Sequence, residues 1–253
     1  MSFIELTQEN LESEHICCAL GAKQYEQAVK EKKSWLSERM EEGLTFYRLD
    51  ERAKVFIEYL PAEAAWVPVH APNYMVINCL WVSGKYKGSG HGRQLLEHCE
   101  QEARSKGMDG IVHLLGSKKM PFLSDKTFFL HHGFTVTDQA PPYFELVTHK
   151  WNAAAPNPRF NDSARQLQVG ESGITVYFTA QCPFAVGILG EWEAIARKHN
   201  IPFHAHQIRT REEAQAAPAP WTTFAFFYNG RYVSHEIMSG NKLEKVLAKL
   251  LAE

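Results

Sequence analysis

The 253-residue chain lacks a strong excess of charge, a long hydrophobic run and a cysteine framework. Its 27 Lys and Arg against 29 Asp and Glu leave a net charge of −2, which argues against binding to nucleic acid or an anionic membrane. The longest apolar stretches are strand-sized, so no membrane span is predicted. Residues 1–6 lack the basic-then-apolar order of a secretion signal. The five cysteines have no framework spacing, and we therefore expect reduced thiols and a cytoplasmic location.

Two common phosphate-binding motifs are also missing. The chain has no Gly-x-x-x-x-Gly-Lys-Ser/Thr sequence, which a nucleoside-triphosphate loop requires. Glycines stand instead at alternate positions, 88, 90 and 92, whereas a dinucleotide fingerprint needs Gly-x-Gly-x-x-Gly in an opening strand–turn–helix unit. The region before these glycines has an antiparallel appearance, which argues further against that fingerprint.

The most informative segment present is Lys87-Gly88-Ser89-Gly90-His91-Gly92-Arg93. It follows a β-branched, aromatic-rich strand at Tyr74–Val82 and precedes a helix with apolar residues at helical spacing. Alternate glycines let a ligand approach the backbone, and the N-terminus of the next helix favours an anion. The segment therefore predicts a phosphate or pyrophosphate site, with a ligand-free glycine-rich hairpin as the alternative.

Two domains are predicted from the order of elements. Residues 1–151 show strands and helices in the order β-α-β-β-β-α-β-α-β-β, which indicates a mixed α/β (α+β) domain with a central mixed sheet. Residues 152–172 begin with an Ala-, Asn- and Pro-rich stretch and are predicted to be a linker. In residues 173–253, a strand at 174–179, a helix from Cys182-Pro183 to His199 and three further strands precede a final helix.

The glycine segment and the preceding strand resemble the GNAT acetyltransferases. Arg/Gln/Lys-x-x-Gly-x-Gly/Ala is that family's acetyl-coenzyme A motif, and Lys87 to Gly92 match it. The resemblance implies the acyl-CoA N-acyltransferase fold, acetyl-CoA as co-substrate, and direct attack by an amine in a ternary complex. The cofactor-binding residues that it implies are Leu80, Trp81, Val82, Lys87, Gly88, Ser89, Gly90, His91, Gly92 and Arg93.

The second GNAT signature is incomplete. Phe129 stands where the family has the tyrosine that protonates the leaving thiolate, and a phenyl ring has no proton to give. Acetyl transfer also needs a base for the amine proton and a donor that polarises the thioester carbonyl. Glu58, a lone carboxylate in an apolar strand, is the first candidate base and Glu145 the second, although both also suit solvent-facing positions. Tyr143 is a candidate acid or a packing aromatic.

A main-chain N–H of Val82 or Trp81, on the strand before the glycine segment, is the candidate hydrogen-bond donor to the thioester carbonyl. No metal ligand set is predicted. The acceptor is expected to be a small-molecule or peptide amine, and whether the chain forms a homodimer stays open.

The C-terminal element order resembles a thioredoxin-like domain, with Cys182 at the position of the reactive thiol. Ala185 stands where a second cysteine would be required, so a two-thiol shuttle is excluded. A helix start lowers a thiol pKa, which makes Cys182 a candidate reactive thiol. Both domains together are similar to bacterial acetyltransferases with a YoaP-like C-terminal domain. The alternative function is an acyl-CoA-binding or redox-sensing module with little transferase activity.

Overall fold

The computed structural model describes residues 2–252 and divides into two compact units. The first consists of residues 2–20, Lys33–Ala65 and Val69–Asn161. The second consists of Gly21–Lys32, Trp66–Pro68 and residues 162–252. In residues 2–252, no helix is both long enough and apolar enough to cross a bilayer.

A seven-stranded mixed sheet forms the centre of the first unit, in the order β1-β2-β3-β5-β6-β8-β7. The strands and helices along this part of the chain are β1 (Phe3–Leu6), α1 (Glu26–Met40), β2 (Thr45–Leu49), β3 (Val55–Pro61), β4 (Val69–His70), β5 (Tyr74–Val82), α2 (His91–Ser105), β6 (Gly110–Gly116), α3 (Lys126–His131), β7 (Thr135–Ala140), β8 (Phe144–Lys150) and β9 (Arg159–Phe160). β4 and β9 form a separate two-stranded sheet. β5 and β6 are parallel and the remaining neighbours antiparallel. The predicted mixed α/β architecture is confirmed.

Helix α2 covers the centre of this sheet with the apolar stripe that its sequence predicts. Leu95, Leu96, Cys99 and Ala103 are buried in one core with residues of β3, β5 and β6. Gly107 follows the helix in the left-handed region, with φ +68°. The helix ends there because glycine adopts this conformation without a steric penalty. The stripe fixes the orientation of α2 and places its N-terminus beside the end of β5.

The segment between the two predicted domains has structure of its own. β9 pairs antiparallel with β4, joining Phe160 to Val69, and the Phe160 side chain is 1% exposed. Residues 152–161 thus pack within the first unit. The division into residues 1–151, 152–172 and 173–253 stays a prediction about independently folding pieces.

The second unit contains a four-stranded sheet in the order β11-β10-β12-β13. Its elements are β10 (Ile174–Phe178), α4 (Pro183–Gly187), α5 (Leu189–Lys198), β11 (Phe203–Gln207), α6 (Arg211–Gln215), β12 (Phe224–Tyr228), β13 (Arg231–Ser234) and α7 (Gly240–Leu250). β11 is parallel to β10, whereas β12 and β13 run antiparallel to their neighbours. The single helix predicted from Pro183 to His199 is wrong: α4 ends at Gly187 and α5 begins at Leu189. Gly187 and Gly190 lower helix propensity on both sides of the division.

Candidate active site

The parallel strands β5 and β6 are paired only over their first residues. The pairing runs from Tyr74 opposite Gly110 to Ile77 opposite His113 and then stops. Beyond it, β5 continues beside β3 and β6 continues beside β8. A gap therefore opens in the middle of the sheet between the second half of β5 and the end of β6.

A β-bulge lies in β5 where the gap begins. Glu58 is paired with Cys79 and Tyr59 with Ile77, so Asn78 is the extra residue on β5. A bulge bends its strand and increases the local twist. It therefore alters the course of β5 as the strand leaves β6.

The end of β5 presents main-chain donors to this gap. The Ser83 N–H donates to the carbonyl of Lys54, beside β3, at 3.0 Å. Successive main-chain groups of a strand point to opposite edges, so the N–H groups of Val82 and Leu80 point away from β3 and into the gap. The N–H of Trp81 points toward β3. Of the two donors considered from the sequence, Val82 therefore has the orientation that a bound carbonyl requires, and Leu80 shares it.

The glycine segment forms a turn that begins helix α2 without a side-chain cap. Gly88 and Gly90 have φ values of +77° and +83°, which L-residues with side chains rarely adopt. Gly90 occupies the N-cap position and has no side chain to cap the first helical N–H groups. These N–H groups, beginning at His91, have no intrahelical acceptor because they belong to the first turn. The turn thus combines exposed amides with the positive end of a 15-residue helix.

The β5 end, the glycine turn and helix α3 line one cleft of about 1350 Å³. All predicted cofactor-binding residues except Ser89 contribute to its wall: Leu80, Trp81, Val82, Lys87, Gly88, Gly90, His91, Gly92 and Arg93. Ser89 donates its hydroxyl to the carbonyl of Tyr86 at 2.5 Å, which stabilises the turn from within. The sequence-predicted cofactor residues are therefore brought together in one concave site.

The opposite wall comes from a segment that begins beside Lys118 and Lys119, which the sequence offers either as candidate contacts for coenzyme phosphates or as a solvated basic turn. Residues 119–125 line the cleft, and Lys119 and Phe122 within them are exposed. Phe122 has a φ of +62°, an uncommon conformation for a bulky residue. No local sequence signal links this segment to the glycine turn because tertiary packing alone brings the two walls together.

Charge at the mouth of the cleft is mixed. Lys87, Lys119 and Arg93 supply positive charge, whereas Glu97 and Glu100 supply negative charge. The Arg93 Nε donates to Glu97 Oε1 at 2.7 Å, but both groups are largely exposed and such a pair contributes little stability. Arg93 therefore remains available to a stronger anionic partner in the cleft.

Phe129 lies in the cleft wall as a fully buried ring of helix α3. Its centroid is 4.6 Å from that of His113 and 5.1 Å from that of Phe134. The side chain is therefore a packing element at the position where the GNAT resemblance places a proton donor.

The three catalytic candidates do not line this cleft. Glu58 is fully buried on β3, and its Oε1 accepts from the Asn78 amide at 3.2 Å, which places the carboxylate beside the bulge. Tyr143 lies half-buried before β8, with its ring 4.7 Å from that of Phe144. Glu58 and Tyr143 are thus absent from the cleft lining, although Glu58 neighbours β5, the strand that carries Leu80 to Val82.

Glu145 is engaged in an ion pair. Its Oε2 lies 2.5 Å from Lys126 Nζ, and its Oε1 accepts from Gln139 at 2.9 Å. The carboxylate is 3% exposed. Both carboxylate oxygens of Glu145 therefore lie beside side chains of the protein rather than in the cleft.

Cys182 lies in the second unit as the N-cap of α4, immediately before Pro183. Its side chain is half-buried against the core that contains Trp192 and Phe224. α4 has five residues, so its dipole is small. Cys182 as a reactive thiol stays a prediction.

Comparison with known families identifies the first unit. The Acetyltransferase (GNAT) family model matches residues 9–120, and the YoaP-like family model matches residues 202–245. The Bacillus subtilis (strain 168) protein described as "Uncharacterized N-acetyltransferase YoaP" is 56% identical over 250 residues, which cover 99% of this chain and 100% of that protein. The chain belongs to the GNAT acetyltransferase family and is an N-acyltransferase with a YoaP-like segment.

Solved structures match part of the chain at low identity. The PaiA N-acetyltransferase of Thermoplasma acidophilum, in complex with coenzyme A, is 18% identical, with a TM-score of 0.41 over 60% of this chain and 100% of that one. Ard1 of Thermoplasma volcanium is 16% identical, with a TM-score of 0.41 over 59% of this chain and 96% of that one.

Proposed function

We propose that this acetyltransferase binds acetyl-CoA in the 1350 Å³ cleft and transfers the acetyl group directly to an amine of a small molecule or peptide, in a ternary complex. The observation that carries the proposal is the continuity of the cleft from the separated edge of β5 to the glycine turn. One end offers main-chain donors for a thioester arm and the other offers amides for a diphosphate. Reduced cysteines and the charge balance support a cytoplasmic location as part of the same proposal.

The glycine turn has the properties that a diphosphate site requires. A β-carbon built at Gly88 or Gly90 would meet no atom within 4 Å, so the backbone faces open space at both positions. Phosphate oxygens there would accept from the first amides of α2, with Lys87 and Lys119 adding positive charge. At Gly92, by contrast, a β-carbon would lie 3.1 Å from the Phe128 ring, because the helix approaches α3 closely.

The gap beside β5 suits the thioester arm. The acetyl carbonyl oxygen gains negative charge as the amine attacks, and a preorganised N–H donor stabilises that charge. Val82 and Leu80 direct their N–H groups into this gap from a strand whose other edge is held by β3. Val82 is therefore the proposed donor to the carbonyl, with Leu80 binding the arm.

Glu58 is the proposed general base. Of the two candidate bases, Glu145 is paired with Lys126, whereas Glu58 lies beside the bulge where the gap begins, although it does not line the cleft itself. From Cys79, its pairing partner, to Val82 is about 10 Å along the strand. That separation is longer than a carboxylate side chain, so the proposal routes the amine proton to Glu58 through water.

The leaving thiolate is proposed to depart without a dedicated acid. Phe129 lines the cleft but carries no transferable proton, so water protonates coenzyme A after it is released. Protonation of the thiolate then follows acetyl transfer, and most of the catalysis comes from the base and from the N–H group that donates to the thioester carbonyl.

Glu58→Gln tests the base. We expect kcat to fall about 100-fold or more, because general-base catalysis typically contributes 10²–10⁴. The affinity for coenzyme A should stay unchanged, since Glu58 does not line the cleft. The measurement is thiol release from acetyl-CoA with a panel of amines, together with calorimetric titration of coenzyme A.

Glu145→Gln is the matched control, because it neutralises another buried carboxylate of the same sheet. If Glu145→Gln lowers kcat as much as Glu58→Gln, the assignment of the base is wrong. If the wild-type enzyme binds no coenzyme A at millimolar concentration, the proposed function itself fails.

Cys182 provides a test of the second function considered for the chain. If it is a reactive thiol, iodoacetamide should modify Cys182 near neutral pH at least several-fold faster than a model thiol, since a helix start lowers a thiol pKa. Cys182→Ser should leave acetyl transfer unchanged. Mass spectrometry of timed reactions measures the rate, and modification no faster than the model thiol would exclude an activated Cys182.

A further inference from the structure

The strand separation that creates the gap occurs at one residue of β6. His113 forms the last pair with β5, opposite Ile77, and the next residues of β6 are paired only with β8. Its side chain is 1% exposed and packs with the Phe129 ring of the cleft wall. His113 thus links the last point of contact between the two strands to the wall of the site.

The His113 imidazole makes a single hydrogen bond, and that bond crosses between the two strands. Its Nδ1 lies 2.8 Å from the main-chain carbonyl oxygen of Ile77. A carbonyl only accepts, so Nδ1 carries the proton and Nε2 carries a lone pair. Within residues 2–252, Nε2 is buried and has no hydrogen-bond partner.

An aliphatic side chain would fill this position at lower cost. A buried acceptor without a partner loses its hydration, and leucine packed against Phe129 would lose none. Stability of the core therefore does not account for an imidazole here. The feature that only the polar ring supplies is the bond to Ile77, the residue immediately before the bulge at Asn78.

We propose that His113 is a positioning residue for acetyl transfer: its Nδ1–H bond to the Ile77 carbonyl fixes the point at which β5 leaves β6, and through the bulge directs the Val82 and Leu80 amides into the gap. The proposal deepens, and rests on, the proposed function. Without the bond, the end of the β5–β6 pairing is free to shift, and the Val82 N–H, five residues after Ile77, moves with it. A displacement of about 1 Å between donor and carbonyl costs as much as 100-fold in rate.

Three substitutions separate the bond from the rest of the side chain. In His113→Asn the side-chain amide nitrogen takes the place of Nδ1 and keeps the bond to Ile77. In His113→Gln the amide lies at the place of Nε2, and in His113→Leu the polar group is absent. Ile111→Val on the same face of β6 is the control for lost packing alone, since Ile111 is fully buried in the same core.

We expect kcat to fall about 100-fold in His113→Gln and His113→Leu, with little change in KM for acetyl-CoA, and about threefold or less in His113→Asn and Ile111→Val. Thermal unfolding of each variant identifies losses that come from stability. The proposal is overturned if His113→Asn is as impaired as His113→Gln, or if Ile111→Val reproduces the loss of kcat.

A measurement without turnover keeps this result distinct from failure of the proposed function. The ¹H–¹⁵N resonances of Leu80 and Val82 should shift when coenzyme A is added to the wild type and to His113→Asn. They should shift differently in His113→Gln. Identical shifts in all three proteins would refute the positioning role whether or not an acceptor amine has been found.

Discussion

Gly90→Glu is expected to weaken coenzyme A binding about 100-fold, equivalent to about 2.7 kcal/mol. A β-carbon at Gly90 meets no protein atom within 4 Å, so the new side chain enters the space of the ligand rather than the core. Its carboxylate adds negative charge where the first amides of α2 would hold a diphosphate. The positive φ of Gly90 adds backbone strain, which affects folding more than the ligand.

Gly107→Glu separates the loss of coenzyme A binding from the effect of backbone strain. Gly107 lies at the other end of the same helix, also with positive φ and with no atom within 4 Å of a built β-carbon. It therefore reports the strain and the added charge without obstructing the cleft. Calorimetric titration of coenzyme A should show normal affinity for Gly107→Glu. Equal weakening in both variants would show that the glycine turn does not hold the diphosphate.

Acidification is expected to destabilise the enzyme through His113 by about 3 kcal/mol between pH 7.5 and pH 4, in addition to the effects of other groups. Burial lowers the pKa of His113 from its usual 6.5 to about 4, and the bond to Ile77 only partly opposes the shift. The facing residues Ile77, Val147 and Phe129 carry no titratable group. Below pH 6.5 the His113 imidazole is protonated in the unfolded chain but not in the folded one. The free energy of unfolding therefore decreases as the pH is lowered from 6.5 to about 4.

His113→Asn should remove this part of the pH dependence. Urea unfolding followed by far-ultraviolet circular dichroism, at pH 7.5 and at pH 4, measures the free energy of both proteins. The difference between wild type and variant isolates His113, because the half-buried His15 and His98 also have lowered pKa values and remain in both. Parallel losses in the two proteins would show that His113 is not protonated selectively in the unfolded chain.

Most of the first unit was predictable because its signals are local. The β-branched and aromatic residues of Tyr74–Val82 predict β5 with its observed bounds, and the helical spacing of Leu95, Leu96, Cys99 and Ala103 predicts the buried face of α2. The glycines between them predict the turn. These signals need only the pleat of a strand, the period of a helix and the freedom of glycine, which act over a few residues.

The chemistry around the gap was less predictable. Glu58 and Glu145 appear as similar lone carboxylates in apolar strands, but Lys126 neutralises one and Asn78 donates to the other. His113 is not among the residues predicted from the sequence, because nothing near it in the chain indicates a bond to Ile77. Such partners are brought together by the register of the sheet, and a register shift of one residue would reverse every side chain in a strand.

The amino-acid sequence by itself predicted the strand–turn–helix unit, since that unit depends on short-range periodicity and glycine conformation, and its motif predicted the family by resemblance. Only the tertiary structure decided where β5 leaves β6, which main-chain amides face the gap and which partners surround Glu58 and Glu145. Those properties depend on pairing between residues about 20 to 40 positions apart, where packing and hydrogen bonding select one arrangement that no local pattern encodes.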